Sequence, residues 1–149
     1  MTKAYLCVAT YDNWMKVHDK QLFATEGEEK RRSVPYGIEQ LRKVSKGDIL
    51  FLWATKCGLI GYAEVASPEI TKDRKVIWEG GVYPYRIKIK TLKLLDKDQA
   101  ISFRDIKGKI SNDQTGQVID DGNAIRGKAM IPLSDKDKKY LLEKIKKVK

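Results

Sequence analysis

Histidine and cysteine are scarce in this chain, and the scarcity removes whole classes of chemistry. His18 is the single histidine, so a multi-histidine metal site is excluded. Cys7 and Cys57, the two cysteines, stand far apart, in no Cys-x-x-Cys pair and at no zinc-ligand spacing; they make no disulfide framework and imply a reducing cytoplasm. A Cys-His nucleophile would need His18 with Cys7, in a run that reads as a buried strand, or with Cys57, beside Lys56 in a turn. The segment "KGKIS" at 107–111 lacks the upstream glycine of a phosphate-binding loop. No catalytic residue, metal or cofactor is therefore assigned. No apolar run approaches the roughly 18 residues of a membrane span, and "MTKAYLCVATYDNW" has no long apolar signal region. A soluble, cytoplasmic, monomeric binding module without a membrane partner is expected.

What is abundant is positive charge. Thirty Lys and Arg against twenty Asp and Glu give a net charge of +10 and a sequence pI near 9.5. Such an excess attracts polyanions at long range, nucleic acid foremost. The 149 residues fit one domain, 1–149, with a core large enough to need no covalent staples.

The stretch "GDILFLWATKCGLIGYAEV" at 47–65 reads as a hairpin whose first strand, Ile49 to Ala54, has almost no polar face. With Cys57-Gly58 as a two-residue turn, Trp53 would lie opposite Tyr62 and Phe51 opposite Glu64, while Leu50, Leu52 and Ala54 share the other face with Val65, Ala63 and Gly61. The aromatic face is too apolar to be bare, so a helix or a ligand must cover it. "AYLCVAT" reads as a central strand, and Asp12 or Asn13 as the cap of a short helix bearing Trp14 and Val17. Ser33 and Pro35 suggest the start of another helix with Ile38, Leu41 and Val44 on one face. "SPEITKDRK" and residues 104–123 read as loops. Along 83–90, Tyr83, Tyr85, Ile87 and Ile89 alternate with Arg86, Lys88 and Lys90, giving one dry and one basic strand face. "PLSDKDKKYLLEKIKKVK" is a helix capped by Ser134 with Leu141, Leu142, Ile145 and Val148 as its core stripe. Short strands and helices without regular alternation predict an α+β fold built on a mostly antiparallel β pseudo-barrel with peripheral short helices.

"AYLCVATYDNW", "KGDILFLWATKCGLIGYAEV", "YPYRIKIK", "RGKAM" and "PLSDKD", in this order over nearly the whole chain, resemble the EVE domain family, small proteins of the PUA-like superfamily related to the YTH readers of methylated RNA. The resemblance implies a PUA-like pseudo-barrel and a pocket for a flipped, modified base in RNA or DNA. It places Phe23 and Trp78 at the positions of cage aromatics. Phe23-Ala24 stands where family members commonly have a Trp-Gly pair.

Extruding a base costs a few kcal/mol, and stacking it on aromatic faces returns about 1–3 kcal/mol. The pocket candidates are accordingly Phe23, Trp53 and Trp78, with Tyr11 nearby and Asn13 to read the base edge through its donor and acceptor. Trp14 is read as structural. For the phosphates, Arg86, Lys88 and Lys90 would project from one strand face at about 6.6 Å intervals, joined by Arg126 and Lys128 of "RGKAM". The alternative is a small PUA-like hydrolase, or a metabolite-binding protein, acting on modified nucleosides, with Glu64, Glu79, Lys56 and Arg126 meeting in the pocket.

Overall fold

The computed structural model describes residues 2–25, 36–125 and 129–148. In chain order the elements are β1 (Ala4–Ala9), α1 (Tyr11–Lys20), β2 (Leu22–Thr25), α2 (Tyr36–Leu41), β3 (Ile49–Ala54), β4 (Gly58–Lys72), β5 (Tyr85–Leu94), α3 (Phe103–Ile106), β6 (Met130–Leu133) and α4 (Asp135–Lys146), with single 3-10 turns at Lys97–Gln99 and Gly122–Ala124. One six-stranded sheet runs β2-β5-β4-β3-β1-β6. Only β1 and β3 pair in parallel; the other four pairings are antiparallel. The sheet curls into a half-barrel, and the predicted α+β pseudo-barrel with short peripheral helices is the observed fold.

The central strands are dry on both faces because two cores sandwich the sheet. Tyr5 and Cys7 of β1, with Leu50, Leu52 and Ala54 of β3, point into a core shared with Trp14, Val17 and Ile87. Ala4 and Leu6, with Phe51 and Trp53, point the other way, onto Ile106, Ile110, Ile119, Leu141 and Ile145. Period-two alternation sends neighbouring residues to opposite cores. A helix, α4, is thus among the elements that cover the aromatic face of β3.

The hairpin register departs from the expected one. Phe51, not Trp53, lies opposite Tyr62, their ring centroids 6.2 Å apart. A bulge between Leu52 and Trp53 brings Trp53 opposite Leu59, and the turn is Thr55-Lys56-Cys57, closed by the Cys57 amide donating to the Ala54 carbonyl (2.9 Å). Gly58 sits at φ +123°, where a Cβ would come within 2.3 Å of the Ile101 carbonyl oxygen. The partition of β3 into two faces survives the shift.

Other elements also differ from the sequence reading. The cap of α1 is Thr10, whose Oγ1 accepts from the Asn13 amide (3.2 Å); Asn13 itself is turned inward. Residues 67–72, read as loop, extend β4 and make with β5 a long hairpin that carries the 73–84 loop at its end. Tyr83 belongs to that loop, at φ 49°, and not to the strand. Ser33 and Pro35 lie outside the described residues; α2 begins at Tyr36 and buries Ile38 and Leu41. α4 is capped as expected, with Ser134 Oγ accepting from the Asp137 amide (3.2 Å), and buries Leu141 and Ile145. No helix among the described residues is long and apolar enough to cross a membrane.

Candidate nucleic-acid interface

The 73–84 loop carries Trp78, and two side chains from elsewhere hold the loop in place. Asn13, from the first turn of α1, donates through Nδ2 to the Glu79 carbonyl and accepts at Oδ1 from the Glu79 amide, both at 2.9 Å. A side-chain amide here pairs with backbone as a neighbouring strand would. The second anchor is Arg86, at the start of β5. Its Nε donates to the Tyr83 carbonyl (3.1 Å), its Nη2 to the carbonyls of Val82 (3.1 Å) and Lys75. Asp73 adds a carboxylate at 3.6 Å, and the guanidinium lies 4.9 Å from the centre of the Trp78 ring. Burying a charge is costly unless it is paired and hydrogen-bonded. Arg86, 2% exposed, is both.

Trp78, Phe23 and Trp14 assemble in one core. Trp78 is buried and meets the Tyr83 ring edge to face (6.2 Å, 85°). Phe23 is buried in the same core and stacks on Trp14 at 5.7 Å and 13°. Trp14 is held in turn by its Nε1, which donates to the Trp53 carbonyl at 2.8 Å. Tyr11 is half-buried against this core, with the Lys97 ammonium 5.2 Å from its ring centre.

Of the residues singled out in the sequence, Phe23, Trp78, Asn13 and Tyr11 are thus brought to one side of the sheet. Trp53 is not. Its ring packs in the opposite core, edge to face with Phe103 at 6.0 Å and 82°, because its place in the β3 alternation faces α4. Arg86 also leaves the predicted basic row: it is spent on the loop carbonyls, whereas Lys88 and Lys90 are exposed on β5, opposite Ser67 and Glu64 of β4. Arg126 and Lys128 lie outside the described residues. Alternation alone put Arg86 with the lysines, and a loop folding over the strand end is invisible to alternation.

Of the groups of the hydrolase alternative, Lys56 and Glu64 are not gathered. Lys56 sits in the β3–β4 turn, while Glu64 pairs with Ile49 at the far end of that ladder. Cys7 is fully buried, and burial pushes its thiol well above the ordinary thiol range, where it is a poor nucleophile. Among the described residues no three His, Cys, Asp or Glu side chains are grouped to hold a metal ion.

The solved structures place this architecture. The YTH domain of the Zygosaccharomyces rouxii MRB1 protein, in complex with N6-methyladenosine RNA, superimposes with a TM-score of 0.70 at 16% identity, over 99% of this chain and 89% of that one. The YTH domain of Toxoplasma CPSF4, bound to a seven-nucleotide N6-methyladenosine RNA, matches with a TM-score of 0.69 at 11% identity, over 100% and 93%. A Pseudomonas syringae protein matches with a TM-score of 0.63 at 11% identity, over 94% and 97%. No family model matches the sequence, and no curated protein matches it. The fold is that of these YTH domains.

Proposed function

We propose that this chain is a non-catalytic module that binds RNA through a modified base, accepted beside Phe23 and Trp78. Within the YTH/PUA-like class we group it with the EVE proteins, on the ordered motifs from "AYLCVATYDNW" to "PLSDKD". The observation that carries the reading is the doubly anchored Trp78 loop. Asn13 and Arg86 spend two side chains, five hydrogen bonds to backbone and one cation–π contact on fixing the loop of one indole that is already buried. Fixing a stacking surface before the ligand arrives lowers the cost of ordering it on binding. Lys88 and Lys90 supply exposed charge for phosphates on the same hairpin.

Titration of the protein with a short single-stranded RNA carrying one N6-methyladenosine, against the unmethylated RNA and the equivalent DNA, tests the proposal. Enclosing the methyl group among apolar side chains predicts a preference of about fourfold or more for the methylated strand. Equal affinity for methylated and unmethylated strands would leave only non-specific electrostatic binding and refute base recognition of this kind.

A further inference from the structure

Two buried polar side-chain atoms have no hydrogen-bond partner among the described residues: Oγ1 of Thr25 and Nε1 of Trp78. The two residues are 1% and 5% exposed. An unpaired buried donor or hydroxyl lowers folding stability by roughly a factor of ten or more in the equilibrium constant. Structures therefore rarely keep such groups, and two in one region ask for a use.

Both lie on the side of the sheet that holds Phe23. Thr25 follows Phe23 by two positions in β2, so the two side chains share a strand face. Across the ladder Thr25 pairs with Tyr85, which packs against the core that holds Phe23 and Trp78. The next residue of β5 is Arg86, whose guanidinium overlies the Trp78 ring. Thr25 and Trp78 are thus neighbours of two successive residues of β5, Tyr85 and Arg86.

We propose that Thr25 Oγ1 and Trp78 Nε1 are the groups that read the polar edge of the base. The inference rests on the base-binding role above and deepens it by fixing the ligand's chemistry. An indole N–H only donates, so the base must turn a bare acceptor toward it, a ring nitrogen or a carbonyl oxygen. A hydroxyl donates or accepts, so Thr25 tolerates an acceptor or an N–H at the neighbouring position. A base methylated on its exocyclic amine keeps its ring-nitrogen acceptors and fits this requirement. A base methylated on the contacted ring nitrogen does not.

The test uses Thr25→Val, which keeps the side-chain shape, and Trp78→Phe, which keeps an aromatic but smaller ring; each deletes one of the polar atoms. The probe is a seven-nucleotide RNA with a central N6-methyladenosine, together with its 1-deaza, 3-deaza and 7-deaza analogues. Each variant should bind the parent probe about tenfold more weakly; Thr25→Val should also melt about 2–4 °C higher, because an unpaired buried group has been removed, whereas Trp78→Phe loses core packing as well and is judged on affinity. One deaza analogue should weaken binding to the parent protein but not to Trp78→Phe, which identifies the acceptor that the indole contacts. Parent-level affinity in either variant overturns the proposal while leaving base binding intact. A parent protein that ignores the methyl group overturns both. Should Trp78→Phe fail to fold, the affinity of Thr25→Val decides.

Discussion

The guanidinium of Arg86 lies 4.9 Å from the centre of the Trp78 ring and donates to carbonyls on both sides of it in sequence, those of Lys75 and Val82. A single planar cation thereby stacks on the indole and ties down both arms of the loop that bears it. Lysine cannot replace it, since an ammonium lacks the fixed fork of donors.

Arg86→Lys should accordingly cost about 1–3 kcal/mol of stability, as charged hydrogen bonds to buried carbonyls are lost. It should also weaken binding of methylated RNA without changing the dependence of affinity on salt. Urea unfolding and titrations over a range of salt concentrations read the two effects. A reduced salt slope in a variant of undiminished stability would return Arg86 to the phosphate-contacting surface.

Lys88 and Lys90 should behave in the opposite way. The Lys88→Ser, Lys90→Ser double variant removes two exposed charges from β5 and should leave the melting temperature close to the parent's. The slope of log affinity against log salt should become shallower by about 1.4, at about 0.7 per phosphate contact for a single strand. An unchanged slope would take these lysines out of the interface.

Trp14→Ala should destabilise by roughly 3–5 kcal/mol, the range for truncating a large aromatic in a core. The ring is fully buried, stacks on Phe23 and bonds the Trp53 carbonyl. Chemical denaturation measures the loss. A variant as stable as the parent would show that Trp14 is no structural support for Phe23.

Tyr5 supplies a pH dependence. Burial foremost, then the nearby Asp48 and Cys7, push its phenol from 10.0 up to about 12. The folded state therefore holds this proton more tightly than the unfolded chain does. The contribution to stability is fully present below pH 10 and is lost as pH rises toward about 12. Tyr5→Phe should flatten the fall in stability between these values, measured by urea unfolding at each pH.

Much of the fold was legible in the residues because period-two patterning survives local error. β3 kept its two faces even though the register slipped, since the bulge at Leu52/Trp53 moved partners along β4 without turning β3 over. α4 was legible from Ser134 and its apolar stripe alone. What alternation could not show was which face belonged to which core. Trp53 was drawn toward the pocket by its chemistry, yet its ring lies on the α4 side of the sheet. Arg86 escaped for a related reason: its role depends on a loop folding back over the strand end, a long-range event with no local signature. Asn13 was visible as a polar residue near the site, but its two bonds to Glu79 cross 66 positions of sequence.

The position of β1 bears on how the chain reaches this state. It lies between β3, paired in parallel, and β6, whose Met130 faces Cys7 across the ladder. Strands joined over such separations form slowly, because loop closure must precede the contacts that reward it. During synthesis, β1 is made before either partner, and β6 well after β3. Until Met130–Leu133 has left the ribosome, Leu6 and Cys7 belong to a strand with one unsatisfied edge, open to pairing with another nascent chain.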